Sequence, residues 1–275
     1  MDNAPLSSSA EAQRLAVVGR GRVGTALAGA LRAAGHTVEG PLGHEPDVSG
    51  ADVVLLCVPD SEIVRAAAAL APGRLVGHCS GATGLEALAP HERFSLHPLM
   101  TLAGLPPAAP GQGAGPDPTG PLRGAGCAIA GSSPRARTVA EGLARSVGMR
   151  PFEVGPEDRA AYHAAAALAS NFLVTLESAA ERLAATAGVD RAELVPLVRA
   201  TVENWARAGA GALTGPIARG DHATVQRHRA AVLERAPDLL ELFDALAAAT
   251  AALAPGASAA AGADPRQRET EAVGA

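Results

Sequence analysis

The sequence predicts an α/β protein in which a doubly wound sheet domain is followed by an all-α domain. Short apolar runs alternate with helix-compatible segments up to about residue 153, which is typical of a parallel sheet flanked by helices. From Glu157 onward the apolar spacing is helical. We therefore expect a sheet domain over residues 14–154, a helical domain over residues 155–253 and a disordered tail over residues 254–275.

The first predicted strand ends in three glycines with G-x-G-x-x-G spacing, and a helix-compatible segment follows at once. Gly19 allows a tight turn, Gly21 lets a pyrophosphate approach the backbone, and Gly24 lets the helix pack against the sheet. The helix N-terminus then offers free N–H groups to phosphates. This context predicts dinucleotide binding, although a glycine-rich turn without a ligand is the alternative. The expected cofactor loop is Gly19, Arg20, Gly21, Arg22, Val23 and Gly24.

The identity of the dinucleotide, NAD or NADP, stays open. Glu39, twenty positions after Gly19, ends the second predicted strand over residues 36–39, where a carboxylate would bind the ribose hydroxyls of NAD. A solvated strand end is the alternative interpretation of Glu39. Arg20 or Arg22 would instead suit the 2′-phosphate of NADP.

The next two predicted strands each end in a candidate ligand loop. Residues 51–58 form an apolar run that suits a strand buried on both faces, and Val58, Pro59 and Asp60 follow at its cofactor end. We expect Asp60 or Ser61 to cap the helix that comes next. After the strand over residues 74–78, Ser80 and Gly81 lie where ligands bind in open α/β sheets, unless this loop is an ordinary turn.

Two histidines and an asparagine are candidate catalytic residues. His97 lies at the end of a predicted strand over residues 94–99, and histidine suits proton delivery to a carbonyl that receives a hydride. A structural histidine bonded to backbone groups is the alternative. His163 and Asn171 are eight residues apart on one long predicted helix, Glu157–Thr186, and would share a face. Packing of helices in a dimer could also explain that polar pair.

A loop inside the helical domain supplies candidate substrate ligands. Arg219 can clamp a carboxylate with two parallel hydrogen bonds, and Thr214 precedes it in the same loop. Asp221 is expected to cap the next helix. Residues 103–124 are rich in Pro, Gly and Ala and are interpreted as a flexible loop or lid, or as an insertion without function.

Composition excludes several functional classes. A net charge of −5 and the lack of a basic cluster with aromatics argue against nucleic-acid binding, and no apolar run is long enough to span a membrane. The N-terminus has no signal-peptide pattern, and three scattered cysteines fit reduced thiols in the cytoplasm rather than disulfides or a metal site. All 23 basic residues are arginine, so lysine chemistry is excluded. The alanine-rich helix suits close helix packing in a homodimer.

Several of these segments together resemble a bacterial family of Rossmann-like proteins with a helical C-terminal domain of unknown function. The family looks related to pyrroline-5-carboxylate reductases, β-hydroxyacid dehydrogenases and ketopantoate reductases. The resemblance implies a dimeric NAD(P)-dependent oxidoreductase. Some of these relatives carry a lysine one turn before the asparagine. Ala167 stands there in this chain, and His163 is a possible substitute. The matching stretches are residues 18–24, 58–60, 78–82, 95–98, 162–165, 169–171, 213–216 and 219–221.

The sequence therefore predicts hydride transfer between NAD(P)H and a small carbonyl or imine acid, with ketopantoate-like substrates included. His97 or His163 would donate the proton, and Asn171 and Arg219 would orient the substrate. Two alternatives remain. One is a regulatory protein that binds the dinucleotide without turnover, and the other is a dimeric scaffold with a vestigial cofactor site.

Overall fold

The structure is a computed structural model that describes residues 13–43, 46–102 and 119–254. Most of the predicted loop over 103–124 and the tail over 255–275 lie outside the described residues. The chain divides into two compact units between Ser170 and Asn171, further along than the predicted boundary near residue 154.

The described residues of the first unit form seven strands and four helices. The strands are β1 (Arg14–Val18), β2 (Thr37–Leu42), β3 (Val53–Leu56), β4 (Leu75–His78), β5 (Glu92–Leu99), β6 (Gly126–Gly131) and β7 (Arg150–Glu153). The helices are α1 (Arg22–Ala33), α2 (Ile63–Ala68), α3 (Pro134–Ser146) and α4 (Arg159–Ala167), with short 3₁₀ turns at Asp60–Glu62 and Leu85–Leu88.

The strands form one sheet in the order β2-β1-β3-β4-β5-β6-β7. All neighbouring strands are parallel except β5 and β6, which are antiparallel. The chain passes from β1 to β2 on one side and then returns to β3 on the other side of β1. A crevice for ligands therefore opens at the carboxyl ends of β1 and β3. The predicted α/β class is confirmed.

The central strands are buried on both faces, as their continuous apolar sequences predict. Successive side chains of a strand point to opposite faces, so Leu15 and Val17 enter one core while Ala16 and Val18 enter the other. Helices α1 and α3 pack on the first of these faces and α2 packs on the second. This packing fixes the strand ends, and with them the loops that carry the candidate site.

The second unit is helical, as predicted, and contains α5 (Leu173–Ala185), α6 (Arg191–Ala208), α7 (His222–Arg235) and α8 (Leu240–Leu253). Helices α5, α6 and α8 have no buried residue. Arg229 and Asp244 join α7 to α8 at 2.8 Å. The side chain of Asp221 accepts a hydrogen bond from the N–H of Thr224 at 3.0 Å, so its predicted role as a helix cap is confirmed.

The expectation of one continuous α-helix over Glu157–Thr186 was wrong. A π-helical turn, Leu168–Phe172, separates α4 from α5 and contains Asn171. Because a π turn breaks the 3.6-residue period, the eight-residue spacing of His163 and Asn171 no longer implies a shared face. Among the described residues, no helix has the length and apolarity needed to cross a membrane.

Candidate functional site

The three glycines of the loop after β1 have different structural roles. Gly19 has a φ of +120°, and a side chain there would collide with the backbone of Cys57. A side chain at Gly24 would collide with the carbonyl oxygen of Gly19 and would lie 3.2 Å from the Cβ of Cys57. These two glycines are therefore required by the fold itself, since they let α1 and the end of β3 close on the loop.

Gly21 is the glycine that faces open space. It has an extended backbone with a φ of −72°, and a Cβ added there would meet no protein atom within 4 Å. It also caps α1 without a side-chain hydrogen bond, and the first turn of α1 holds no acidic residue. Unpaired N–H groups and the helix dipole at such an end attract an anion. The loop thus fits the pyrophosphate of a dinucleotide.

A cleft of about 610 Å³ opens beside this loop, at the carboxyl ends of β1, β2 and β3. Arg20 and Arg65 line the cleft and bring positive charge to it, and Arg65 is paired with Glu62. The remaining lining residues are Val18, Gly19, Gly21, Leu42, Gly43, Pro46, Leu56, Cys57, Val58, Pro59, Ala66, Ala69 and Leu70. Val58 and Pro59 thus lie where the sequence predicts, and the cleft is wide enough for part of a dinucleotide.

Glu39 does not end its strand, which corrects the sequence-based placement. It pairs with Ala16 within the edge strand β2, and β2 continues to Leu42, whose partner is Val18. The exposed Glu39 side chain does not line the cleft, whereas the guanidinium of Arg20 lies next to Gly43, just past the true end of β2. A positive charge therefore lies beside this end of β2.

Asp60 and Ser80 hold two neighbouring loops together. Pro59, not Asp60 or Ser61, is the cap residue of the 3₁₀ turn, so the predicted capping was wrong. Asp60 instead accepts a hydrogen bond from the hydroxyl of Ser80 at 2.8 Å. The same hydroxyl oxygen accepts from the N–H groups of Ala82 (3.1 Å) and Thr83 (2.8 Å). Ser80 is buried and uses its donor within the protein, which favours a role in shaping the loop.

His97 and His163 meet over Gly81. The His97 and His163 rings have centroids 6.1 Å apart, and an ideal Cβ on Gly81 would lie 2.7 Å from His163 and 2.8 Å from His97. Gly81 is therefore required so that both imidazoles can approach this loop. The Nδ1 atom of His97 lies 2.6 Å from the hydroxyl of Tyr162, one residue before His163 on α4.

Arg159 is a site residue that the sequence analysis missed. It is buried at the start of α4 and donates to the carbonyl oxygen of Ser80 (3.3 Å) and to the hydroxyl of Ser95 (3.0 Å). Its guanidinium thus links α4 to the loop after β4 and to the middle of β5. An arginine at a helix start normally indicates a solvated surface, so no local signal pointed to it.

Burial favours the uncharged forms of two residues in this cluster, His97 and Tyr162. Desolvation lowers the pKa of His97 to about 4, and the nearby His163 and Arg159 add to the effect. Desolvation also raises the pKa of Tyr162 to about 12. Burial therefore favours the neutral imidazole of His97, because the charged form loses hydration.

The other predicted site residues lie elsewhere in the chain. Asn171, Thr214 and Arg219 belong to the second unit, and all three are exposed. Arg22 and Val23 form the first turn of α1, beside the open face of Gly21. Among the described residues, no group of three or more potential ligands could hold a metal ion.

Comparison with known families supports the two-part architecture. A model described as a Rossmann-like domain matches residues 41–102, and a model described as a domain of unknown function (DUF2520) matches residues 125–250. No curated protein gives a significant match to the chain.

Solved structures share the fold at low sequence identity. A Bacteroides fragilis protein, provisionally named an NADP oxidoreductase, has a TM-score of 0.70 at 17% identity and covers 87% of this chain and 98% of its own. A Thermotoga maritima protein has a TM-score of 0.69 at 23% identity, with 87% and 98% covered. The 1-pyrroline-5-carboxylate reductase of Streptococcus pyogenes has a TM-score of 0.57 at 15% identity, with 88% and 99% covered. The chain therefore combines a segment that matches a Rossmann-like domain with a C-terminal segment that matches the DUF2520 domain.

Proposed function

We propose that this protein is an NAD(P)H-dependent reductase of a small carbonyl or imine acid. One observation carries the proposal: the open Gly21 loop and cleft lie at the ends of β1 and β3, and the His97–His163 pair lies beside the next loop along the same sheet edge. The names of two structural neighbours, an NADP oxidoreductase and a pyrroline carboxylate reductase, support the same reaction class.

We assign separate roles to the residues of the first unit. The loop Gly19–Gly24 and the N-terminus of α1 would hold the pyrophosphate, with Val58 and Pro59 bordering the cofactor. A bound NAD(P)H supplies a hydride to the carbon of a C=O or C=N group, whose oxygen or nitrogen then takes a proton. Asp60 and Ser80 join the two neighbouring loops through a hydrogen bond, and His97 and His163 would serve as hydrogen-bond donors to that reacting group.

We propose NADPH, rather than NADH, as the preferred cofactor. An NAD site places a carboxylate at the end of β2, but Glu39 lies within the strand and outside the cleft. Arg20 lies next to Gly43 at that strand end and suits the 2′-phosphate.

The helical unit would supply substrate ligands and a dimer interface. Asn171, Thr214 and Arg219 are proposed to orient the substrate, with Arg219 pairing with its carboxylate. The helices expose large apolar side chains that a second copy of the chain would cover, including Phe172 at 58%, Leu197 at 65% and Trp205 at 64% exposure. Light scattering at micromolar concentration should give the mass of a homodimer, and a monomer mass would contradict this.

The three free cysteines are consistent with a cytoplasmic location.

Purified protein should oxidise NADPH when supplied with one member of a panel of 2-oxo acids and cyclic imines. His163→Gln is the test variant and Gly142→Val is the matched control, since Gly142 lies on α3 and does not line the cleft. Gly142→Val should keep the activity, while His163→Gln should lower turnover by about tenfold or more. NADPH binding without turnover on any substrate would instead favour a cofactor-sensing regulatory protein. The absence of lysine from the whole chain supports that second candidate, since related reductases carry one near the asparagine.

A further inference from the structure

Tyr162 contacts His97 with close and defined geometry. Its hydroxyl oxygen lies 2.6 Å from Nδ1 of His97, and the two rings meet edge to face with centroids 5.6 Å apart at 88°. Phe152 of β7 makes a second ring contact with Tyr162, and their ring centroids are 5.9 Å apart. Tyr162 therefore contacts two aromatic rings, and these contacts hold its hydroxyl against the imidazole of His97.

The length of this hydrogen bond indicates its direction. A separation of 2.6 Å lies within the usual range for an O–H donor but below the range for an N–H donor. A phenol is also a better donor than a neutral imidazole, and an imidazole nitrogen is a better acceptor than a phenol oxygen. The chemistry of the two groups thus favours Tyr162 as the donor to Nδ1 of His97, which would leave Nε2 as the nitrogen that carries hydrogen.

Nε2 of His97 has no protein hydrogen-bond partner among the described residues, whereas Nδ1 is engaged by Tyr162. An ideal Cβ on Gly81 would lie 3.0 Å from Nε2 and 2.7 Å from His163, so both rings lie against the Gly81 backbone because that residue has no side chain. A ligand atom that reaches Nε2 would meet a donor whose orientation Tyr162 fixes.

We propose that Tyr162 is a positioning residue that holds His97 in the Nε2–H form, so that neutral His97 donates a hydrogen bond to the oxygen or nitrogen of the substrate's C=O or C=N group. This inference rests on the proposed reductase function for its substrate, but the state of the imidazole is independent of it. A neutral donor stabilises the charge that develops as hydride arrives, without itself supplying an imidazolium proton.

The charges around His97 agree with a neutral ring. Arg159 and His163 on α4 and His78 on β4 lower its pKa, and only Asp60, on the loop after β3, raises it. Tyr162 also stays protonated, since burial and the nearby Cys127 raise its pKa. Donor and acceptor therefore keep the same roles across the neutral range of pH.

The experiment is ¹⁵N NMR of the histidine side chains at pH 7 in wild type, Tyr162→Phe and His97→Gln, the last variant assigning the His97 signals. Wild type should show Nε2 protonated and Nδ1 as a hydrogen-bonded acceptor. Tyr162→Phe should move these shifts towards the average of two tautomers. A wild-type ring protonated at Nδ1, or shifts unchanged in Tyr162→Phe, would overturn the proposal whether or not a substrate is known.

Kinetics on an identified substrate give the second test. Tyr162→Phe should lower kcat by about tenfold while leaving the Kd of NADPH unchanged. Gln carries its amide N–H near the position of Nε2, so His97→Gln should retain more activity than His97→Ala. Adding Tyr162→Phe to His97→Gln should then cost less than it costs in wild type. Full additivity of the two changes would refute the positioning role, and a protein without any turnover would contradict only the reductase proposal.

Discussion

Replacement of Gly21 by valine should weaken dinucleotide binding without harming the fold. The backbone at Gly21 is extended, and a Cβ there meets no protein atom within 4 Å, so the valine side chain would enter only the space reserved for ligand. Loss of glycine freedom in the unfolded chain should leave stability unchanged or raise it by up to about 1 kcal/mol. The effect on binding therefore stands apart from any effect on folding.

The size of the loss follows from the groups that valine would block. Hydrogen bonds to a charged group contribute about 1.5–3 kcal/mol each, so separating the pyrophosphate from one N–H of α1 should raise Kd by about 10- to 150-fold. Calorimetric titration with NADPH would measure Kd, and thermal unfolding would confirm the fold. Gly142→Val is the matched control, because Gly142 is also an open glycine but lies on α3, outside the cleft. Equal affinity in wild type and Gly21→Val would refute this account of the loop.

Three further changes probe the same region. Gly24→Ala should destabilise the protein by about 1–3 kcal/mol in urea unfolding, because the new Cβ would collide with the Gly19 carbonyl; unchanged stability would contradict the packing described. Arg20→Leu should weaken NADPH binding by about tenfold and leave NADH binding nearly unchanged, and an equal loss for both would remove the 2′-phosphate role. Burial lowers the pKa of His78 to about 4, so the unfolded chain binds the extra proton between about pH 6.5 and 4, and stability should fall by up to about 3 kcal/mol as pH decreases through that window. His78→Asn should flatten this pH dependence, and an unchanged slope would show that another group causes it.

Local sequence patterns predicted the elements that repeat a simple period. The helical apolar spacing after Glu157 predicted the helices of the second unit, and the apolar runs before Gly19 and over residues 51–58 contain the central strands β1 and β3. The extension of β2 past Glu39 could not be predicted, because a Gly-Pro pair normally ends a strand. Only the register with β1 shows that the strand resumes and ends at Leu42.

The site was only partly predictable because its central contacts join distant parts of the chain. The local sequence suggests that Asp60 caps a helix. Its hydrogen-bond partner, Ser80, is however twenty residues later in the chain, in the loop after β4. Tyr162 stands beside the predicted His163, but its role depends on a contact with His97, sixty-five positions earlier. Arg159 is buried because α4 begins next to the loop after β4 and the middle of β5.

The lysine-free composition and the neutral histidine lead to the same chemical conclusion. An ammonium or imidazolium acid would place a positive charge beside the buried Arg159, and repulsion from that guanidinium already lowers the pKa of His97. A cluster that keeps one fixed cation cannot easily hold a second in a desolvated site. The arrangement instead combines a permanent charge on Arg159 with an uncharged N–H donor on His97, whose orientation Tyr162 sets. In the proposed reaction, such a site would stabilise negative charge as it forms on a substrate and would leave final protonation to a group that solvent reaches, such as the exposed His163.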